Sequence, residues 1–380
     1  MNKSRRVVCA MAASLGLAGA MLAWPAAAQA QLRVGQTAGL TGAVAATVKE
    51  ATAGARLAFA QVNAQGGIGG QKVELVQLDD RFEPEQAAAN ARKLADEGVI
   101  SLFLTRGTPH NQAILPVLAQ AKLPLVGPST GAMLLHQPVN PWVYNVRASY
   151  QREAERIVRH LVQVGVSRLA IVQVADSFGD AAAAGALRGF GATLKPVAHL
   201  KYDRSKPDFA PVVKQLLAAD AQAVLFLGSG TAVVDGIKAL RAAGSAAQLA
   251  TLSNNASAGF VKSLGPLAHG VIVSQVLPSE RALAVPLVKE AHDLVAQYPQ
   301  LAGEVTPALL EGYASAKVLL EGLRRAAAAR DLTRTGLQRA LDGLTRYNLG
   351  GLELSYSASD HSGLDYADLS IVGADGRFKR

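Results

Sequence analysis

Gly127-Pro128-Ser129-Thr130-Gly131 carries the G-x-S-x-G spacing that, on a sharp strand-to-helix turn, exposes the serine nucleophile of an acyl-transfer enzyme. Leu123–Val126 supplies a strand before it, but the rest of that arrangement does not follow. A helix should start at the serine, whereas GAMLLHQPVNP allows one or two turns at most before Pro138. His136, His160, His269, His292 and His361 come later, and none sits in a recognisable loop with an acid partner. Ser129 is therefore read first as a hydrogen-bonding residue of a ligand loop. A secreted serine hydrolase using Ser129 is the alternative.

Other candidate sites are weaker. Gly67-x-Gly69-Gly70 precedes a strand instead of following one, so the helix N-terminus that would hold a dinucleotide pyrophosphate is missing. Asp79-Asp80 closes a strand with no third ligand nearby, and Asp80 is expected to cap a turn or line a cleft rim instead of holding a metal. His110, just after Thr108-Pro109, either touches a ligand or caps the helix beginning at Asn111. Trp142 and Tyr313 are expected to pack in apolar surroundings. No cofactor is implied.

The elements that must position these groups alternate. Strand-length apolar runs occur at Leu32–Thr37, Lys72–Leu78, Val99–Leu104, Leu123–Val126, Leu169–Val174, Ala223–Leu227 and Gly270–Gln275. Helical periodicity lies between them, at Gly54–Asn63, Pro84–Glu97, Asn111–Ala121, Gln151–Val164, Phe209–Ala219 and Val233–Ala243. Near-continuous apolar strands separated by helices predict parallel sheets covered on both faces. Trp142–Arg147 reads as an extended strand crossing from one lobe to another, and Ser149 as the N-cap of the next helix. Helices are predicted over Ala282–Tyr298, Pro307–Arg330 and Thr333–Leu341, then strands at Leu352–Tyr356 and Leu369–Val372. The fold class expected is α/β, with two Rossmann-like lobes joined by a multi-crossing hinge. The lobes divide as 31–147 plus 277–355 and 148–276 plus 356–380.

Residues 1–30 read as a signal peptide. Lys3, Arg5 and Arg6 precede an apolar run from Val7 to Leu22, and Ala28-Gln29-Ala30 is an A-x-A cleavage site. Export to the periplasm is expected. Cys9 is the only cysteine, so the chain after the leader has no disulfide, thiolate metal site or cysteine nucleophile. The leader holds no acid, so removing Lys3, Arg5 and Arg6 lowers the formal net charge from +9 to +6. The remaining cations are spread along helices with no basic run interleaved with aromatics, which argues against nucleic-acid binding.

Over essentially the whole chain after the leader, the pattern resembles the fold type I periplasmic binding proteins of branched-chain amino-acid ABC transporters, the leucine/isoleucine/valine-binding group. The segments carrying the resemblance are GARLAFAQVNAQGGIGGQKVEL with Asp79-Asp80, Pro128-Ser129-Thr130, YNVRASYQ, AIVQVADSFGD, AVLFLGSGTAVVDGIKALRAAG and EGYASAKVLLEGL, in that order and spacing. The resemblance implies a receptor that closes two lobes around a small-molecule ligand and delivers it to a membrane permease. A ligand sensor for a signalling partner is the other binding role it allows. By position, Thr108, Ser129 and Thr130 would offer hydroxyl and backbone donors to a ligand carboxylate, with no buried arginine required. Tyr150 and Phe178 would lie at the cleft wall of the second lobe, and Ser229 and Ser253 would face the ligand from strand ends. Two departures widen the ligand class. Thr251–Asn255 has no acid to pair with an ammonium, and Thr41–Thr47 has no aromatic. Asp176 or Asp235 is the acid expected to supply the missing charge. Branched-chain or other amino acids, aromatic or keto acids and amides are all expected ligand classes.

Overall fold

A computed structural model describes residues 31–192 and 194–380; the leader and its A-x-A site lie outside the described residues. The first sheet holds β1 (Gln31–Ala38), β2 (Lys72–Asp79), β3 (Ser101–Phe103), β4 (Leu125–Val126) and β5 (Val143–Tyr144). All pair parallel in the order β2-β1-β3-β4-β5. The intervening helices are α1 (Ala45–Ala64), α2 (Pro84–Asp96) and α3 (Thr108–Ala121). Their apolar residues bury the sheet on both faces, which is why β3 and β4 contain no exposed position.

The second body repeats the plan. It comprises α4 (Tyr150–Gln163), β6 (Leu169–Val174), α5 (Ser177–Gly189), β7 (Ala198–Tyr202), α6 (Ala210–Ala218), β8 (Ala223–Leu227), α7 (Thr231–Ala242), β9 (Gln248–Thr251), α8 (Ala258–Leu264) and β10 (Ile272–Gln275). Strands β7-β6-β8-β9-β10 are parallel. The chain then returns to the first body as α9 (Pro286–Gln297), α10 (Pro307–Ala328), α11 (Arg334–Asp342) and the short hairpin β11 (Tyr347–Asn348) and β12 (Glu353–Leu354). It ends as β13 (Asp368–Val372) and β14 (Phe378–Lys379), antiparallel on the β10 side of the second sheet. Each sheet has its own apolar core, and the chain passes between the two bodies after β5, after β10 and after β12. This is the expected two-lobed α/β architecture. Tyr356 and Leu364 pack in the first core, Val372 and Phe378 in the second.

Several elements differ from the sequence reading. Helix α1 starts at Ala45, nine residues before Gly54; Val44 supplies no capping side chain and the first turn no acid, so the sequence does not mark the start. Strand β7 went unread because it is a half-exposed edge strand alternating apolar and polar residues. Strand β9 and helix α8 are too short to give a periodic signal. Strand β5 stops at Tyr144 as the outer strand of the first sheet, so the crossing to the second body is irregular chain over 145–149. Ser149 caps α4 as expected, accepting from the Arg152 amide at 3.2 Å. Among the described residues no helix is long and apolar enough to cross a membrane.

Candidate functional site

In open parallel sheets, ligands sit beyond the carboxyl ends of the strands, where the strand order reverses. Here the ends of β3 and β4 meet the ends of β8 and β9 across the gap between the two bodies. After β3, Leu104 takes φ of +50° and turns the chain sharply. The Thr105 hydroxyl donates to Asn111 Oδ1 at 2.6 Å, and Asn111 Nδ2 donates to the Gly107 carbonyl at 2.7 Å, bracing the loop that carries Arg106 and Thr108.

Arg106 is buried. It donates to Ser129 Oγ at 2.9 Å on its own body and to the Asn254 carbonyl at 2.6 Å on the other. No carboxylate lies within ion-pair distance of it among the described residues. Burial holds its pKa below the ordinary arginine value. Ser129 in turn donates to Glu311 Oε1 at 2.7 Å. Gly127 makes this reach possible. It has φ of +60°, and a Cβ there would lie 2.6 Å from the Ser315 Cβ, so α10 can pass close to the loop and present Glu311 one turn earlier.

Arg147, in the irregular crossing, is the second buried guanidinium. It is ion-paired with Glu153 of α4, donates to Ser253 Oγ at 2.7 Å, and lies 3.6 Å from Glu311 through Nη1. Burial works to lower its pKa, but the Glu153 and Glu311 carboxylates outweigh this and hold it above the ordinary value. The second Glu153 oxygen accepts from the Ser253 amide at 3.0 Å and the Ser274 hydroxyl at 2.5 Å. The Arg147 guanidinium covers the Tyr150 ring at 4.7 Å, and Phe178 meets that ring edge-on at 4.7 Å.

The sequence-derived site residues thus occupy three groups. Thr108 and Thr130 bond each other through their hydroxyls at 2.7 Å, beside Ser129. Tyr150 and Phe178 form an aromatic stack under Arg147. Ser229 accepts from Asn254 Nδ2 at 2.9 Å, and Ser253 accepts from Arg147. The sequence reading missed four charged residues: Arg106, Arg147, Glu153 and Glu311. The expectation of an anion site without a buried arginine is corrected, because two guanidiniums stand among the hydroxyls. The signals were local. Arg106 interrupts an otherwise uncharged strand end, Arg147 sits in the crossing, and Glu311 opens EGYASAK. Glu153 lies in the first turn of α4, where an acid is ordinary.

The acids considered in the sequence lie elsewhere. Asp176 caps α5 through the Phe178 and Gly179 amides and pairs with Arg204 at 2.5 Å. Asp235 is exposed on α7. An aromatic side chain does reach this region, from the β2–α2 loop. Phe82 stacks on His110 with ring centres 4.3 Å apart, and the Arg204 guanidinium of the second body lies over the Phe82 ring at 5.1 Å. The β2 carboxylates hold turns. Asp79 accepts from the Leu40, Thr41 and Arg81 amides, and Asp80 from the Phe82 amide. Burial pushes His110 down to about 4 and Asp80 up to about 6. Buried side-chain atoms without a hydrogen-bond partner among the described residues include Arg147 Nη1 and Asn254 Oδ1. Among the described residues no group of three or more His, Cys, Asp or Glu side chains could hold a metal.

A family model described as periplasmic binding protein matches residues 31–376. The chain belongs to the periplasmic binding protein family. A substrate-binding periplasmic protein from Ralstonia solanacearum superposes with a TM-score of 0.84 at 32% identity, covering 92% of this chain and 99% of that one. A possible leucine/isoleucine/valine-binding protein from Rhodopirellula baltica superposes with a TM-score of 0.85 at 27% identity, covering 92% and 96%. By sequence, the chain is 27% identical to Leu/Ile/Val-binding protein homolog 3 of Brucella melitensis over 60% of its own length and 61% of that protein's. The matched region thus spans about three fifths of that relative. These periplasmic binding proteins are not enzymes, which sets the hydrolase alternative aside. The geometry agrees. Ser129 bonds Arg106 and Glu311, with no histidine among its partners, and Met133–Leu135 forms only a single 3-10 turn where a nucleophile elbow needs a helix.

Proposed function

We propose that this periplasmic binding protein is the extracytoplasmic receptor of an ABC importer, taking a small carboxylate-bearing ligand between its bodies and handing it to a membrane permease. Export through the leader places it in the periplasm. In this reading 31–147 plus 277–355 form one lobe and 148–276 plus 356–380 the other, with Tyr356 and Leu364 of the last segment packing back on the first core. The ligand meets Thr108, Ser129, Thr130, Tyr150, Phe178, Ser229 and Ser253, with Arg106 and Arg147 between them.

One observation carries the reading. Strand ends of both sheets converge on a buried polar cluster that retains unpaired atoms, Arg147 Nη1 and Asn254 Oδ1, with Arg106 spanning the gap to Asn254. Buried polar groups are ordinarily satisfied, so unpaired ones at the end of a cleft mark where a partner binds. The permease step follows if ligand shifts an open–closed equilibrium and the closed form docks. A thermal-shift screen of the chain from residue 31 against amino acids, amides and aromatic and keto acids tests this. A ligand at a hundredfold over its Kd adds about 3 kcal/mol. No shift with any member of the screen would count against the receptor reading.

A further inference from the structure

Four buried charges stand together in the cleft, and they are not equivalent. Both Glu153 oxygens are fully engaged, one by Arg147 and the other by the Ser253 amide and Ser274 hydroxyl. Glu311 accepts from Ser129 and faces Arg147. Both acids therefore face Arg147, Glu153 with both oxygens engaged and Glu311 through Oε2 at 3.6 Å, so an incoming ammonium would compete with that guanidinium for them. On the cationic side, Arg106 has no carboxylate partner, and Arg147 Nη1 is buried without a hydrogen bond. A guanidinium presents five donors and matches a carboxylate in a fork. An unpaired acceptor, Asn254 Oδ1, sits in the residue whose carbonyl Arg106 bonds. It calls for a neutral N–H or O–H donor.

Resting on the receptor reading above, we propose that Arg106, with Arg147, receives the carboxylate of the ligand, and that this cleft selects carboxylates without an ammonium group. The second ligand function is a hydroxyl or amide donor to Asn254. Recognition by two guanidiniums gives a different selectivity from recognition by hydroxyls alone. The charge of the ligand then sets affinity, and an added ammonium lowers it, because it meets Arg106 and Arg147 while the two nearby acids already face Arg147.

The test is calorimetry on the chain from residue 31 with matched pairs that differ only at the α-carbon. Suitable pairs are lactate against alanine, 2-hydroxy-4-methylpentanoate against leucine, and 3-phenyllactate against phenylalanine. The 2-keto acids of the same skeletons complete the set. The expected result is that for at least one skeleton the hydroxy or keto acid binds at least tenfold more tightly than the amino acid. Arg106→Gln should then weaken that acid at least thirtyfold, with partial recovery in Arg106→Lys. The variants' melting curves without ligand check that they fold, and Asp235→Asn, exposed on α7 and away from the cleft, should stay within a few fold of the unmodified protein. An amino acid binding as tightly as its matched acid overturns this inference while leaving the receptor reading standing. Tight acid binding that survives Arg106→Gln also overturns it. Binding by no member of the set overturns both.

Discussion

Ser129 Oγ donates to Glu311 Oε1 at 2.7 Å, joining the loop after β4 to a helix that lies 182 residues further along the chain. The same oxygen accepts from Arg106. A single hydroxyl thus serves as donor to an acid and acceptor from a base, both buried. Ser129→Ala leaves Glu311 and Arg106 each short of one partner. Removing one side of a buried hydrogen bond costs about 1–3 kcal/mol, more when the abandoned group is charged. A loss of that size in urea denaturation is the expected result, and an unchanged midpoint would show that water replaces the hydroxyl without penalty. Ligand affinity should fall only in part, since Ser129 is one contact of several.

Buried ion pairs respond asymmetrically, and Arg147–Glu153 should show it. Both side chains are almost fully buried. Glu153→Ala leaves Arg147 with Ser253 and the more distant Glu311, takes the acceptor from the Ser274 hydroxyl and removes one of the two acceptors of the Ser253 amide. Breaking such a pair from one side costs about 3–5 kcal/mol, whereas replacing both charges by apolar groups of similar volume often costs little. The double variant Arg147→Met with Glu153→Leu should therefore regain part of the stability lost in Glu153→Ala, read from denaturant midpoints. If the double variant were less stable than the single one, the contacts from Ser253 and Ser274 would outweigh the ion pair.

The architecture was legible because its signals are repeated and local. Near-continuous apolar strands with helical stretches between them can be satisfied only by sheets covered on both faces. The polar lining of the cleft was legible in part. Thr108, Ser129 and Ser253 follow strands and are small, which is the pattern of ligand loops. Charged members were missed because the contacts that give them meaning are distant. Arg106 reaches Asn254 across 148 positions, and Arg147 reaches Ser253 across 106. The local signal, a lone arginine at an uncharged strand end or in the crossing, carries no trace of the partner it reaches. Glu311 was hidden by its place on α10, where the periodic apolar face of the helix dominates the pattern.

Acid should destabilise this protein through two buried histidines. His110 and His136 are both held at about 4 by burial, against about 6.5 for an exposed imidazole. A depressed folded pKa means the contribution is present above pH 6.5 and is lost as pH falls through 4, by about 3 kcal/mol for each group. Asp80 has the opposite sign. Its folded pKa is raised to about 6 from 3.8, so its contribution is present below 3.8 and lost as pH rises through 6. The two effects oppose one another between pH 4 and 6.5, with the histidines dominating. Denaturant midpoints should therefore fall on acidification. The fall should be shallower in His110→Phe, which keeps the aromatic stack on Phe82, and steeper in Asp80→Asn. Identical slopes in all three proteins would mean that other groups govern the acid response.

Closure itself can be tested at a glycine that matters only when the bodies meet. Gly259 lies in the first turn of α8, which packs on the second core, and a Cβ placed there would come 2.5 Å from the Ala46 Cβ of α1 on the first body. Next to this contact, Glu50 of α1 accepts from the Ala258 and Gly259 amides at 3.1 and 2.9 Å, and the Thr47 and Ser257 hydroxyls lie 3.0 Å apart. Together these form a latch between the two bodies. A side chain at 259 is compatible with a helical backbone, so the isolated second body should tolerate it, while the closed arrangement should not. Gly259→Val should raise Kd about tenfold, equivalent to about 1.4 kcal/mol. The melting temperature without ligand should scarcely change if the unliganded protein is mainly open. Glu50→Gln, which keeps the size but weakens acceptance from the α8 amides, should raise Kd by a smaller factor. The comparison separates the two parts of the latch, steric fit and charge at a helix N-terminus. An unaltered Kd in Gly259→Val would show that α1 and α8 stay apart in the ligand-bound protein, and the contacts between them would then have no part in holding ligand.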